Sequence, residues 1–149
     1  MKIAIGSDHG GFEYKNYLIS KFFDIEFVDV GSYELNTDDD YTDFSFKIAE
    51  KVASGEADKG IMICRTGVGA IIAMNKVKGV LAGLCEGVPD VVLARKKNNI
   101  NCLAFGADNI SKSKAKAIIE AFISTQFEGG RHERRVEKIL AYEKEIENK

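Results

Sequence analysis

Tryptophan is absent from the 149 residues, proline occurs once and histidine only twice. The three cysteines are odd in number and adjoin apolar runs, which does not suit a disulfide framework, so Cys64, Cys85 and Cys102 are predicted to be reduced thiols. No apolar run approaches the roughly 20 residues that a membrane span needs, and the early acid Asp8 does not fit a signal peptide. We therefore expect a cytoplasmic protein with no membrane partner.

The chain also has no excess of basic residues, since it contains 21 Lys and Arg and 23 Asp and Glu, for a net charge of −2. Nucleic-acid-binding domains usually carry a positive footprint, so nucleic acid is not an expected partner. The chain is 45% hydrophobic and 30% charged, which is typical of a globular protein. Its length predicts a single domain over residues 1–149.

Short apolar runs alternate along the chain with longer segments whose apolar residues recur at helical spacing. The predicted strands are Lys2–Gly6, Ile25–Val30, Gly60–Cys64, Val80–Cys85 and Asn101–Phe105. The predicted helices are Phe12–Phe23, Asp43–Ala53, Gly69–Lys76, Pro89–Lys97, Ser111–Thr125 and 131–147. This alternation predicts an α/β fold, a Rossmann-like three-layer sandwich with a five-stranded parallel sheet. The last helix follows a Gly-Gly break and carries apolar residues, so we expect it to pack on a partner subunit.

Ligands of open α/β sheets bind beyond the carboxyl ends of the strands. Thr66, Gly67, Val68 and Gly69 follow the third predicted strand and precede a helix. Backbone N–H groups of such a turn can hold an anion or a developing oxyanion, although a tight strand-to-helix turn explains the glycines equally well. The pattern lacks the third glycine of the dinucleotide fingerprint, and the chain has no P-loop lysine motif, so no nucleotide cofactor is expected.

Cys64 ends the third predicted strand just before that helix, and Arg65 follows it. A helix N-terminus and a nearby cation both lower the pKa of a thiol, which would suit a base that abstracts a proton. The alternative is a buried, inert cysteine.

Both histidines stand beside charged residues. His9 follows Asp8, which could orient or charge it for acid–base work or phosphate binding; a capping Asp beside a surface His is the alternative. Near His132, Arg131 and Arg135 are four residues apart and so share one helix face, forming either a phosphate clamp or a solvated basic face. The sequence shows no ligand spacing typical of zinc, so no metal is expected.

Several segments, in the same order, resemble the type B ribose-5-phosphate isomerase family, which includes the galactose-6-phosphate isomerase subunits. They are Gly6–Phe12, Tyr41–Phe44, Ser54–Asp58, Ile63–Gly69, Asn75–Gly79, Asn98–Asn101 and Phe127–His132. The resemblance implies an aldose–ketose isomerase of phosphorylated sugars that uses no metal or other cofactor and works through an enediolate. It also implies a homodimer or homotetramer whose active sites are shared between subunits.

The resemblance assigns roles by position. It implies that Cys64 is the base and that the turn of Thr66, Gly67, Val68 and Gly69 stabilises an oxyanion. Further substrate contacts fall on Asp8, His9, Tyr41 and Asn98. The phosphate contacts fall on Arg131 and Arg135, contributed across the dimer.

Four positions depart from the family pattern. Arg65 stands where the family usually has Gly, Lys97 where it has the ring-opening His, Asp108 where an Arg is common, and Thr42 where it has Pro. Lys97 could donate a proton in place of the His, and Arg65 could either bind phosphate or obstruct the pocket. Ribose 5-phosphate and ribulose 5-phosphate are the first expectation, while a six-carbon sugar phosphate or a phosphosugar-binding homologue with little catalysis remains an alternative.

Overall fold

The computed structural model describes all 149 residues. Five strands, β1 (Lys2–Ser7), β2 (Glu26–Asp29), β3 (Lys59–Cys64), β4 (Ala82–Leu84) and β5 (Cys102–Gly106), form one parallel sheet in the order β2-β1-β3-β5-β4. The helices are α1 (Phe12–Lys21), α2 (Tyr41–Ala53), α3 (Val68–Met74), α4 (Val88–Asn98), α5 (Lys112–Ser124) and α6 (Arg131–Glu147). The predicted Rossmann-like α/β sandwich is confirmed.

Each face of the sheet carries its own hydrophobic core. Successive side chains of a strand point to opposite faces, so Ile61 and Ile63 of β3 join one core while Met62 and Cys64 join the other. The first core receives the apolar faces of α1, α4 and α5, and the second those of α2 and α3. Strands covered on both faces need no polar alternation, which explains their continuous apolar sequences.

Several predicted elements are longer than the observed ones, and α1 and β4 show the physical reasons. Helix α1 ends at Lys21 because Phe22 adopts an extended conformation and packs edge-on against Phe27 of β2. Strand β4 was predicted as Val80–Cys85 but spans only Ala82–Leu84. The Asn75 side chain bonds both the N–H and the carbonyl of Ala82, so at the sheet edge it occupies the place of a neighbouring strand.

Helix α6 begins and ends where the sequence predicted. Glu143 accepts a bond from the backbone N–H of Gly79, and Lys78 pairs with Glu147, so the helix is anchored to the turn before β4. Within this chain only His132 and Val136 of α6 are buried, while Ile139 is 53% exposed and Leu140 is also exposed. No helix of the chain, α6 included, combines the length and apolarity required to cross a membrane.

The connections leave β1 and β3 in opposite directions. From β1 the chain passes through α1 to β2 on one side, and from β3 it passes through α3 to β4 on the other. Such a switch point opens a crevice at the carboxyl ends of the two strands, which is where open α/β sheets bind their ligands. In this protein the crevice lies between Asp8 and Cys64.

Candidate active site

The crevice holds a cavity whose six lining residues were all singled out from the sequence. Its lining residues are Asp8, Tyr41, Cys64, Arg65, Thr66 and Gly69. They come from the ends of β1 and β3, the start of α2 and the first turn of α3. The sheet register thus brings together residues that are up to 61 positions apart in the chain (8 to 69).

Asp8 is fixed by its own backbone. Its Oδ1 accepts hydrogen bonds from the N–H groups of Gly10, at 2.9 Å, and Gly11, at 3.2 Å, and so caps a single 3₁₀ turn at His9–Gly11. Burial raises the pKa of the Asp8 carboxyl, although these two N–H groups act in the opposite direction. The cap holds Asp8 rigidly beside the cavity.

Cys64 is only 4% exposed, and its Sγ accepts a hydrogen bond from the N–H of Gly67 at 3.1 Å. Burial raises the pKa of the thiol above its ordinary value, and the N–H groups of Gly67 and Thr66 offset only part of that effect. The expectation that the helix start and Arg65 would lower this pKa is therefore wrong in direction, because desolvation outweighs the backbone dipoles.

The turn after Cys64 needs a left-handed residue at its centre. Gly67 has φ +84°, and a Cβ there would meet Leu84 Cδ1 at 2.7 Å and the backbone of Phe105 at 3.0 Å. The turn places the first N–H groups of α3, which have no acceptor inside the helix, next to the thiol. This arrangement can stabilise negative charge on an oxygen bound between the turn and Cys64.

Arg65 and Asp108, two of the positions that depart from the family pattern, form an ion pair. Arg65 Nε lies 3.2 Å from Asp108 Oδ2, and the arginine side chain remains 67% exposed. The stem of Arg65 lies against Gly10, where a Cβ would collide with it. The negative charge of Asp108 is therefore balanced by Arg65, whose two terminal nitrogens have no partner within the chain.

His9 is bound by Asp39, a residue that the sequence analysis did not select. Asp39 Oδ1 lies 2.7 Å from His9 Nδ1 and also accepts the backbone N–H of His9 at 3.1 Å. The hydrogen bond from Asp39 is the main reason that the pKa of His9 is raised. Asp39 lies 30 residues away in an irregular loop, so no local spacing could have indicated this contact.

The Asp8, His9 and Asp39 side chains could each offer one ligand atom to a cation, all within 4.8 Å of one another. All three side chains already make hydrogen bonds: Asp8 Oδ1 accepts two backbone N–H groups, and His9 Nδ1 lies at hydrogen-bond distance from Asp39. The geometry therefore describes a hydrogen-bonded group rather than a preformed metal cage.

The remaining predicted site residues lie away from Cys64 within one chain. Helix α4 runs back from the carboxyl edge of the sheet toward the start of β5, so Lys97 and Asn98 are exposed near the opposite edge. Arg131 and Arg135 are exposed on α6, whose approach is fixed there by a bond from the Glu128 N–H to the Lys96 carbonyl. A single chain does not bring these four residues to the cavity.

Comparison with known proteins agrees with this architecture. Residues 3–139 match the family described as Ribose/Galactose Isomerase. Ribose-5-phosphate isomerase B of Escherichia coli K12 is 41% identical over 144 residues, covering 95% of this chain and 96% of the relative.

Two solved structures are also close to this chain. Ribose-5-phosphate isomerase B of Clostridium thermocellum is 41% identical with a TM-score of 0.91, over 98% of this chain and 99% of the other. The Mycoplasma genitalium enzyme, solved with bound ribulose-5-phosphate, is 42% identical with a TM-score of 0.89, over 97% of both chains. The chain belongs to the ribose/galactose isomerase family.

Proposed function

We propose that this protein interconverts ribose 5-phosphate and ribulose 5-phosphate. The observation that carries the proposal is the single cavity in which the buried Cys64 thiol faces the N–H groups of the Thr66–Gly69 turn, with Asp8 beside them. Aldose–ketose isomerisation needs a base at carbon and a donor set at the neighbouring oxygen, and this cavity supplies both. The bound ribulose-5-phosphate of the Mycoplasma genitalium relative supports the same substrate for this chain.

In the proposed reaction the Cys64 thiolate removes the proton on C2 of the open-chain aldose. The electrons of that C–H bond form a C1=C2 double bond, and the C1 carbonyl oxygen becomes an enediolate oxyanion. The turn N–H groups stabilise this oxyanion. The O2 proton moves to O1, and Cys64 returns its proton to C1 as the C2 carbonyl forms, which gives the ketose. The reverse sequence of the same steps regenerates the aldose.

Burial suits Cys64 to this role. Because the pKa of the Cys64 thiol is raised, its thiolate is a stronger base than an ordinary thiolate. A stronger base is a better match for a weakly acidic C–H group. The desolvated position that raises the pKa also keeps water from competing for the enediolate. The opposing N–H groups of Gly67 and Thr66 allow the thiolate to form.

The site is completed, in this proposal, by a second copy of the chain. Lys97 and Asn98 assist ring opening, and Arg131 and Arg135 bind phosphate, in the cavity of the partner subunit of a homodimer or homotetramer. Two observations support it: these residues are exposed at the sheet edge opposite Cys64, and α6 leaves Ile139 and Leu140 uncovered. Adjoining exposed apolar side chains on a helix favour a protein contact.

A six-carbon substrate is the competing possibility within the same chemistry. Arg65 lines the cavity where the family usually has the smallest residue, so it reduces the space open to a longer sugar. The structure therefore favours the five-carbon substrate.

The test is proton NMR of ribulose 5-phosphate with the purified protein in heavy water. Deuterium entry at C1 and appearance of ribose 5-phosphate are followed together, since the acyclic ketose reports proton abstraction without ring opening. We expect both signals with the wild type and a loss of about 10²-fold or more in Cys64→Ala. Cys85→Ala, which also removes a buried thiol, is the matched control and should retain turnover.

Retained exchange in Cys64→Ala would remove Cys64 from the role of base. Absence of both signals with the wild type would reject the five-carbon substrate, and six-carbon sugar phosphates would be assayed next. Tight binding of phosphosugars without turnover across that panel would indicate a binding protein rather than an isomerase.

A further inference from the structure

Asp39 makes an unusual pair of contacts for a loop residue. Its side chain is only 9% exposed, although it lies in the irregular segment between β2 and α2. One carboxylate oxygen, Oδ1, receives both the backbone N–H and the ring nitrogen Nδ1 of His9. The other oxygen, Oδ2, is buried with no hydrogen-bond partner.

The unpartnered oxygen shows that structure alone does not account for this carboxylate. An asparagine could accept the same two bonds through its single oxygen, but it would bring no negative charge. Buried polar atoms without partners are rare, and each one calls for an explanation beyond packing. What a carboxylate adds at this position is negative charge next to an imidazole.

That charge acts on His9 in two ways. The bond at Nδ1 fixes the ring orientation and leaves Nε2, which has no partner in the chain, as the free nitrogen. The carboxylate also favours the doubly protonated imidazolium, in which Nε2 carries a hydrogen. Asp8 acts in the same direction as Asp39, whereas Arg65 opposes them. Glu13 and Asp108 line the same cavity as His9 and are the other acidic groups near it.

His9 lies in a cavity next to the one that holds Cys64. Its cavity adjoins the Cys64 cavity, and Arg65 connects them, since Arg65 lines the Cys64 cavity, lies against Gly10 and bonds to Asp108. The free nitrogens of Arg65 and a charged His9 therefore present two cationic donors at one end of the crevice. A phosphate dianion is the part of the substrate that matches such a pair.

We propose that Asp39 is a positioning residue that holds His9 in one orientation and in its charged form, so that Nε2–H binds the phosphate of the substrate. The inference rests on the proposed function for the identity of the substrate. It concerns Asp39 alone, which acts on the substrate only through His9.

The test compares Asp39→Asn, which keeps the shape and the accepting oxygen, with Asp38→Asn, an exposed neighbour in the same loop. The chain has only two histidines, so the His9 signal can be followed by proton NMR titration. We expect the pKa of His9 to lie above its ordinary value in the wild type and to fall in Asp39→Asn. It should stay in place in Asp38→Asn.

The kinetic readout separates binding from chemistry. At neutral pH we expect KM for ribulose 5-phosphate to rise roughly tenfold in Asp39→Asn while kcat changes little, because one charge-assisted bond to phosphate is weakened. The excess in KM should shrink as the pH is lowered and His9 regains its proton. In a His9→Gln background Asp39→Asn should add no further increase, since Asp39 acts only through His9.

Several outcomes would overturn the inference. One is a wild-type His9 that titrates at or below the ordinary value, which needs no variant to fold. Others are an unmoved His9 in Asp39→Asn, or a fall in kcat with KM unchanged. Inorganic phosphate binding, measured by calorimetry, is independent of turnover: weaker binding in Asp39→Asn than in Asp38→Asn supports the inference even if ribulose 5-phosphate proves not to be the substrate.

Discussion

Cys64 experiences two opposing influences whose balance determines its chemistry. The strand that carries it is buried on both sides, which disfavours the thiolate, while the N–H groups of the following turn favour it. The first influence is larger, so the free protein holds the thiol in its protonated form over most of the neutral range. Activity that depends on the thiolate must then be governed by this titration.

We therefore expect kcat/KM to rise with pH along a limb that lies above the range of an ordinary thiol. Activity rises with pH because the proposed base is the deprotonated thiolate. The rise occurs at higher pH than for an ordinary thiol because the pKa of Cys64 is raised in the folded protein. The measurement is kcat/KM for ribulose 5-phosphate from pH 6 to about 10, with stability checked at each end. A limb centred below the ordinary thiol range would contradict this assignment.

The variant Arg65→Gly tests whether the arginine influences the pH dependence of kcat/KM. Arg65 is exposed and paired with Asp108, and it is not among the groups that shift the Cys64 pKa, so the limb should stay where it is. KM should change instead, because the cavity loses a cation and gains space. A shift of the limb to higher pH in Arg65→Gly would show that the arginine does stabilise the thiolate.

The residue scale is where sequence reasoning was least complete. The sequence placed Cys64 at the end of a strand and beside a helix start, but the direction of its pKa depends on how deeply the strand is buried, which spacing does not reveal. Asp39 was missed because its partner His9 is brought to it by tertiary structure. Arg65 and Asp108 both depart from the family pattern in sequence, yet only the folded structure shows that they form an ion pair.

At the scale of elements, the turn between β3 and α3 is the most constrained segment. The left-handed Gly67 packs directly against β5, so the turn cannot move away from Cys64 without disturbing the sheet. By contrast, Gly55 has the same φ of +84° after α2, but a Cβ there would have no atom within 4 Å. A side chain at Gly55 would therefore cause backbone strain alone, whereas one at Gly67 would cause both backbone strain and a steric collision.

We expect Gly55→Ala to lower the free energy of unfolding by about 1–2 kcal/mol, the ordinary cost of a left-handed alanine. Gly67→Ala should cost clearly more, since its Cβ would also collide with Leu84 and Phe105. Activity should fall only in Gly67→Ala, where the oxyanion-binding N–H groups shift. Urea unfolding followed by turnover of the folded fraction measures both effects; equal losses in the two variants would contradict a special role for the turn.

The elements themselves were largely predictable from sequence. Helix α6 begins and ends at the predicted residues, and all five strands were found, because apolar runs and helical spacing are local properties. The shortened β4 was not predictable, since its limit is set by Asn75 bonding across to Ala82. A side chain that replaces a strand partner leaves no periodic signal.

At the scale of the whole molecule, the residues assigned to the proposed site lie near two opposite edges of the sheet. The carboxyl edge holds Cys64, the proposed base, and the turn that follows it. The opposite edge presents exposed Lys97, Asn98, Arg131 and Arg135. Sequence order cannot show which subunit supplies each half. In a symmetric dimer the same surface of each subunit meets its copy, so both halves can be completed at once.

Co-expression of two defective subunits tests this arrangement. Cys64→Ala and the double variant Arg131→Ala/Arg135→Ala should each form poorly active dimers. If sites are shared, each mixed dimer contains one intact site, and random mixing restores about a quarter of the wild-type activity. If the arginines serve their own chain, no mixed dimer has an intact site and activity stays at the level of the separate variants.

The depth of Cys64 has a consequence for the protein under oxidative stress. Peroxides and alkylating agents react with thiolates that solvent can reach, and Cys64 is buried, with a raised pKa, as are Cys85 and Cys102. The raised pKa that makes the proposed base strong therefore also keeps the thiol protonated, and a protonated thiol is slow to form a sulfenic acid. An isomerase built this way keeps its thiol chemistry without becoming a redox sensor.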